Sequence, residues 1–144
     1  MLTIEKIIHA QRVLEEAIFK TDVVRTSNFI DGYELYLKAE NLQKTGSFKI
    51  RGAYNKIASL TDEELERGIV TASAGNHAQG VAYAARERGA KATILMPEIT
   101  PPLKVDATKA YGAEVVLHGE VFDEAAAYAI ELSQNEGMTY VPPF

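Results

Sequence analysis

A lysine flanked by the residue types that covalent amine chemistry requires lies in the first half of the chain. Ser47-Phe48-Lys49 belongs to the run 44–53, and a helix is predicted to begin near Ser47. A cation in the first turn faces the positive end of the helix dipole, which favours a neutral, nucleophilic amine. Phe48 adds an apolar wall that acts in the same direction. Lys49 is therefore a candidate Schiff-base nucleophile, although a lysine taken alone is usually an ordinary exposed residue.

A second run, 73–80, follows a short apolar strand and reads Ser-Ala-Gly-Asn-His-Ala-Gln-Gly. The first amide groups of a helix lack an internal partner and attract an anion, and Gly75 allows close approach of the backbone. Asn76 can donate to and accept from a ring hydroxyl. His77 is either a proton donor or a packing and capping residue, and its backbone amide is the favoured functional group. Taken alone, the loop is also compatible with a simple helix cap or a phosphate loop, but it matches neither Gly-x-Gly-x-x-Gly nor a P-loop.

Composition limits the classes of protein to consider. The chain has 144 residues, of which 47% are hydrophobic and 24% charged, with a net charge of −5 and no cysteine. An acidic balance argues against a nucleic-acid surface, and thiolate catalysis, thiolate metal sites and disulfides are excluded. No His and carboxylate spacing indicates a metal site. No apolar run reaches membrane-spanning length and no signal-peptide pattern is present, so the sequence predicts a soluble cytoplasmic protein.

Hydrophobic periodicity predicts an α/β fold. A first helix is predicted over residues 4–20 and a strand over 34–38. Thr61 with Glu64 is typical of a capping box at the start of a short helix that Gly68 ends. Strands and helices then alternate regularly, which predicts a three-layer, mostly parallel sheet with flanking helices. The predicted strands are 68–72, 91–96, 114–117 and 139–141, and the predicted helices between them are 76–88, one that begins at Thr100-Pro101-Pro102 and ends at Gly112, and 121–136.

Four stretches resemble a known family: 45–53, 73–80, 114–119 and the closing Pro142-Pro143-Phe144. They resemble the pyridoxal-phosphate enzymes of the tryptophan-synthase-β type (fold type II). Within these, the chain is most similar to the threonine dehydratases (threonine ammonia-lyases), in particular the shorter biodegradative branch. The similarity covers essentially the whole chain, and two separate motifs in the same order are far more specific than either motif alone.

The resemblance implies a role for each residue of the two motifs. Lys49 is expected to form the internal aldimine with pyridoxal 5′-phosphate and later to move the substrate α-proton. Phe48 is expected to border the pyridine ring, and Asn76 to hydrogen-bond the ring hydroxyl of the cofactor. Ser73, Asn76 and His77 are expected to bind the substrate carboxylate, largely through backbone donors.

The implied reaction is α,β-elimination of water from L-threonine, with L-serine as a poorer substrate. The products are 2-oxobutanoate and ammonia, and the cofactor serves as the electron sink. Such enzymes act in amino-acid catabolism or isoleucine biosynthesis, and the family forms oligomers. Members of the biodegradative branch are often allosteric enzymes activated by AMP, which places Lys44, Thr45 and Gln79 near an effector site; the alternative is that Lys44 and Gln79 are solvated surface residues.

The family's glycine-rich loop for the cofactor phosphate is absent, since the sequence has no Gly-Gly-Gly run. The later hydroxyl residue that faces the pyridine nitrogen is absent as well. We therefore expect the front part of a longer enzyme, inactive by itself; the alternative is a complete small α/β domain. Residues 1–50 are expected to form the N-terminal helix and the first part of the larger cofactor domain, and residues 51–144 the smaller α/β domain with the Ser-Ala-Gly-Asn-His loop.

Two other functions remain open. One is another member of the same fold, such as a serine dehydratase or racemase. Serine racemases that resemble this loop carry a serine where this chain has Ala74, and Ala74 has no proton to give to the opposite face of a substrate, which favours elimination over racemisation. The other is a non-catalytic domain that uses the 73–80 loop to bind an anion and its helical faces for assembly.

Overall fold

Four parallel strands form the main sheet of the protein. The computed structural model describes residues 1–27 and 30–143. The sheet has the order β5-β4-β3-β6, and every neighbouring pair is parallel. Its strands are β3 (Ile69–Ala72), β4 (Ala92–Met96), β5 (Glu114–Leu117) and β6 (Thr139–Tyr140). The predicted α/β class with a mostly parallel sheet is confirmed.

Helices cover both faces of this sheet. Side chains alternate along a strand, so Ile69 packs with α2 (Lys49–Ala58) and α4 (Asn76–Glu87) on one face, while Val70 packs with α6 (Phe122–Glu136) on the other. Alanines on α4 and α6 allow the helices to lie close to the strands. The chain therefore has the three layers that its sequence predicts. The helices are α1 (Ile4–Leu14), α2 (Lys49–Ala58), α3 (Asp62–Glu66), α4 (Asn76–Glu87), α5 (Pro102–Ala110) and α6 (Phe122–Glu136).

Capping residues, proline and glycine set the ends of α3, α5 and α6. The Thr61 hydroxyl accepts from the Glu64 amide at 3.2 Å, and the Glu64 carboxylate accepts from the Thr61 amide at 2.8 Å, which confirms the predicted capping box. Pro102 lies in the first turn of α5, where its missing N–H costs no hydrogen bond. Gly137 ends α6 with a φ of 71°, in the left-handed region.

The N-terminal segment differs from its prediction in two ways. Helix α1 ends at Leu14, not at Lys20. The chain continues in turns, in which the amides of Ala17 and Ile18 both donate to the Leu14 carbonyl, and the Phe19 backbone then bonds to a side chain. The Phe19 amide donates to Gln43 Oε1 at 2.8 Å, and Gln43 Nε2 donates to the Phe19 carbonyl at 2.9 Å. The strand predicted over residues 34–38 is shorter than expected, since β2 spans Tyr36–Lys38. It pairs antiparallel with β1 (Val23–Arg25), a strand that the sequence analysis did not predict.

Helices α2 and α4 approach each other closely at Gly80. A Cβ added to Gly80 would lie 3.2 Å from the amide nitrogen of Ile50 and 3.3 Å from the carbonyl carbon and oxygen of Lys49. All three are backbone atoms, which cannot move aside as the end of a flexible side chain can. Glycine at this position therefore sets how near the start of α2 lies to α4.

We expect Gly80→Ala to destabilise the protein by about 1 kcal/mol, since an overpacking cost of roughly 1–3 kcal/mol is only partly offset by the gain of about 1 kcal/mol from helix propensity. Gly52→Ala is the matched control, because its added Cβ meets nothing within 4 Å. The control should stabilise the protein by up to about 1 kcal/mol. Urea denaturation of both variants measures the difference, and equal stabilities would contradict the close-packing argument.

Candidate active site

Lys49 lines a cleft with a volume of about 460 Å³. The cleft lies between the start of α2, the start of α4 and the segment after β6. Strands β3 and β6 are parallel neighbours, so both segments that follow them leave from the same carboxyl edge of the sheet. The cleft is lined by Phe48, Lys49, Arg51, Gly52, Ala53, Lys56, His77, Val141, Pro142 and Pro143.

The amine of Lys49 has defined neighbours. Its Nζ donates to the carbonyl oxygen of Pro143 at 2.7 Å and lies 5.9 Å from the centroid of the Phe48 ring. Phe48 is 60% exposed, so its ring stands at the mouth of the cleft and covers the amine from one side only. Lys49 is half-buried as the first residue of α2.

The loop before α4 presents backbone donors at the same edge of the sheet. Its capping residue, Gly75, has no side chain to satisfy the helix start, and the Gly75 amide itself donates to Ser73 Oγ at 3.3 Å. The first helical bond runs from the Gln79 amide to the Gly75 carbonyl, so the amides of residues 76–78 have no acceptor one turn earlier. Asn76 is exposed, whereas Ser73 is buried.

His77 is a packing residue in this structure. Its ring is buried, and Nε2 lies 3.3 Å from the carbonyl oxygen of Val141, which also accepts from Thr71 Oγ1 at 2.6 Å. Burial lowers the pKa of His77 below its usual value; the hydrogen bond to Val141 opposes this shift, and the charge of Lys49 adds to it. A neutral imidazole with its proton on Nε2 fits these neighbours, so the ring anchors the segment after β6.

A carboxylate fixes the segment that leads into Lys49. Glu40 accepts two hydrogen bonds from Arg51, at 2.9 Å from Nε and 2.7 Å from an NH2 group, and a third from Thr21 Oγ1 at 2.6 Å. The bonds from Arg51 lower the pKa of Glu40 from 4.5 to about 2, against the opposing effect of burial. Because Glu40 precedes the Lys49 segment and Arg51 lies on α2, this pair closes the loop between them.

The three predicted effector residues lie outside the cleft lining. Lys44 Nζ donates to the Tyr83 hydroxyl at 3.1 Å and lies 5.4 Å from the centroid of the Phe19 ring, so it is not simply a solvated residue. Gln79 lies one turn before Tyr83 on α4. Because Lys44 contacts Tyr83, it lies against the helix that carries Gln79. Thr45 is buried, and its hydroxyl has no hydrogen-bond partner.

Sequence reasoning missed several residues of the cleft. Lys56 could have been predicted to line the cleft, because it follows Lys49 by seven positions and lies on the same face of the helix. The contact between Glu40 and Arg51 crosses a loop, so no periodicity relates the two residues. The Pro143 carbonyl is a backbone atom, whose position depends on the fold and not on residue type.

Comparison with known proteins identifies the family. The family model described as "Pyridoxal-phosphate dependent enzyme" matches residues 14–144. The chain belongs to this family. An L-threonine ammonia-lyase of Thermotoga maritima is 52% identical over 146 residues, which is all of this chain and 36% of that protein. The family resemblance found in the sequence is therefore confirmed.

Solved structures of this family share the fold. The processed form of threonine deaminase isoform 2 from Solanum lycopersicum matches with a TM-score of 0.89 and 40% identity, over 99% of this chain and 41% of that one. Serine racemase from Dictyostelium discoideum matches with a TM-score of 0.90 and 41% identity, over 99% and 47%. This pyridoxal-phosphate-family chain thus spans less than half the length of these relatives.

Two further properties concern the described part of the chain. Across residues 1–27 and 30–143, no group of three or more His, Asp or Glu side chains is arranged to hold a metal ion. Within the same ranges, no helix combines the length and apolar character needed to cross a membrane.

We expect Glu40→Gln to lower the free energy of unfolding by about 2 kcal/mol at neutral pH, because Arg51 loses a charged partner. The pKa of Glu40 is lowered on folding, so its contribution is complete above pH 4.5 and disappears as the pH falls towards 2. Urea denaturation in steps from pH 7 to pH 2 should show the two proteins converging in acid.

Glu87→Gln is the control for this comparison, since Glu87 pairs with Arg86 at 3.2 Å and both side chains are more than 40% exposed. An exposed pair contributes at most about 1 kcal/mol, so this variant should differ little from the parent. A Glu40 variant as stable as the Glu87 variant would contradict the structural role of Glu40.

The buried hydroxyl of Ser47 has no hydrogen-bond partner. An unpaired buried hydroxyl carries a desolvation penalty, so Ser47→Ala should leave stability unchanged or raise it. Ser133→Ala is the matched control, because Ser133 Oγ donates to the Met138 carbonyl at 2.8 Å and its loss should cost about 1 kcal/mol. Thermal unfolding measures both variants, and a larger loss at position 47 than at position 133 would be the contrary result.

Proposed function

We propose that the chain supplies the reactive amine and the substrate-carboxylate loop of a pyridoxal-phosphate-dependent threonine ammonia-lyase. The observation that carries this proposal is the cleft in which Lys49 and the start of α4 lie together. A primary amine beside a set of backbone donors is what a reaction between a carbonyl cofactor and an amino acid requires.

The residues of the cleft fit the reactive part of the cofactor. Lys49 would hold the aldehyde carbon and Phe48 would border the ring. Asn76 lies outside the cleft lining, at the exposed start of α4, from where its amide would reach the ring hydroxyl. The remaining lining from Pro142 and Pro143 is apolar, as an aromatic ring prefers. When bound, pyridoxal phosphate supplies the electron sink for the bonds at the substrate α-carbon.

The loop before α4 would bind and orient the substrate. The amides of residues 76–78 and the positive end of the α4 dipole favour a carboxylate. Ser73, Asn76 and His77 would contribute through the backbone, because the side chains of Ser73 and His77 already have partners within the protein. With the carboxylate held there, the Lys49 amine is the base that would remove the α-proton, and the β-hydroxyl would leave as water.

The substrate preference is inferred from relatives and from one residue. The relatives include an L-threonine ammonia-lyase and a threonine deaminase, so we propose L-threonine, with L-serine as a second substrate. The similarity to a serine racemase keeps a serine dehydratase or racemase as the second candidate. Ala74 favours elimination, since its side chain has no proton to transfer.

We propose that residues 1–50 pack against further polypeptide of the complete enzyme, as the first part of a larger domain, while 51–144 form the smaller one. Two-stranded sheets are marginal alone, and the four apolar side chains of β1 and β2 are each more than half exposed. On α1, Ile4, Ile7 and Ile8 are exposed as well. The phosphate cradle would also come from outside this segment, so the segment alone should turn over negligibly.

Lys44, Thr45 and Gln79 would contribute to an AMP site. This is supported by the contact of Lys44 with α4, the helix that carries Gln79, and by the unpaired buried hydroxyl of Thr45. The assignments as an allosteric, cytoplasmic homo-oligomer and to isoleucine biosynthesis rest on the family resemblance.

Trapping with borohydride tests the central proposal. The protein is mixed with pyridoxal phosphate, reduced, and digested for peptide mass spectrometry. We expect one dominant adduct on Lys49, which Lys49→Ala abolishes and Lys56→Ala leaves in place, although Lys56 lines the same cleft. Scattered labelling of surface lysines would contradict the proposal and would favour a non-catalytic domain for anion binding or assembly.

A further inference from the structure

The segment Val141–Pro143, here called the proline segment, crosses the cleft and contacts both halves of the site. Val141 is fully buried, and its amide donates to the Val70 carbonyl at 3.0 Å, which continues the direction of β6 beside β3. Its carbonyl accepts from Thr71 Oγ1 and faces His77 Nε2. The segment is thus fixed to the sheet and to α4 at its first residue.

Two residues further on, the same backbone reaches Lys49. The Pro143 carbonyl oxygen accepts the hydrogen bond from Lys49 Nζ at 2.7 Å, across 94 residues of sequence. Proline rings fix φ near −65°, and the residue before a proline is restricted as well. Consecutive prolines after a buried anchor therefore limit the conformations of the segment that leads to this carbonyl and reduce the entropy lost on ordering it.

We propose that the proline segment is a positioning element that holds the Lys49 amine at the Pro143 carbonyl and that a reacting aldehyde must displace this contact. The proposal deepens the proposed function and rests on it for the role of Lys49. The contact orients the amine within the cleft, but it also competes with the aldehyde for Nζ. Loosening the segment should therefore make Lys49 react faster.

The competing step is the formation of an imine between the Lys49 amine and an aldehyde. The nitrogen lone pair of the neutral amine adds to the aldehyde carbon, and the carbon–oxygen bond then breaks. The oxygen leaves as water with the two hydrogens of the amine, and a carbon–nitrogen double bond remains. Lys49 must leave the Pro143 carbonyl for this to occur, because the nitrogen moves to the aldehyde carbon and no longer has hydrogens to donate once the neutral double bond has formed.

Formaldehyde with cyanoborohydride tests the proposal without the natural cofactor. Formaldehyde forms the same carbon–nitrogen bond, and the hydride donor reduces it to a methylated amine that peptide mass spectrometry quantifies at each lysine. The variant Pro142→Gly with Pro143→Gly should methylate Lys49 roughly tenfold faster than the parent, relative to exposed Lys109, because a hydrogen bond to a charged group is lost.

The chain contains a matched control in its other proline pair, Pro101 and Pro102, which lies at the start of α5 and outside the cleft lining. Pro101→Gly with Pro102→Gly should leave the relative rate at Lys49 unchanged. If Lys49 reacts equally fast in the parent and in the folded Pro142 and Pro143 variant, the proposal is wrong.

Thr71→Val provides a second test if the glycine variant does not fold. It removes the hydroxyl that anchors the Val141 carbonyl while keeping the shape of the side chain, so Lys49 should again methylate faster. No change in that folded variant would overturn the proposal. Because formaldehyde requires no cofactor site, failure here is distinct from failure of the proposed function, in which pyridoxal phosphate does not select Lys49.

Discussion

The close approach of α2 and α4 at Gly80 is the constraint on which the site depends. Helix α4 grows from β3, so its first turn is fixed at the carboxyl edge of the sheet. Helix α2 precedes the sheet in sequence and has no strand immediately before it. The space left by the missing side chain of Gly80 lets the backbone of Lys49 and Ile50 lie against α4. This contact brings the Lys49 side chain and His77, in the first turn of α4, into one cleft.

Polar contacts fix the position of the N-terminal side of the cleft, whereas the parallel sheet fixes the other side. The loop before α2 contributes no strand to the parallel sheet, so its position depends on Glu40 with Arg51 and on Gln43 with the Phe19 backbone. Such contacts are directional and partly shielded from water, and removing one partner leaves the other without its hydrogen bond within the protein. The position of Lys49 therefore depends on contacts between residues that are far apart in the sequence.

The same division explains what the sequence could predict. From residue 60 onward, each element carries its own start and stop signals, such as the capping box at Thr61 and Gly137 after α6, so boundaries were predicted to within one or two residues. The end of α1 and the existence of β1 depend on partners elsewhere in the chain, which periodicity does not record. In the proposed site, Lys49 and the 73–80 loop were predicted from residue type, whereas the position of the Pro143 carbonyl depends on the folded backbone.

The cleft also suggests why such a site benefits from a separate phosphate cradle. An imine forms reversibly, and here the amine that would form it already has a carbonyl partner in Pro143. Covalent capture at Lys49 must offset the loss of that contact and the entropy of ordering the bound molecule. Phosphate contacts made elsewhere would raise the local concentration of the aldehyde at the amine without touching the reacting atoms. In the proposed function, retention of the cofactor and reactivity of the lysine would then be controlled by different parts of the polypeptide.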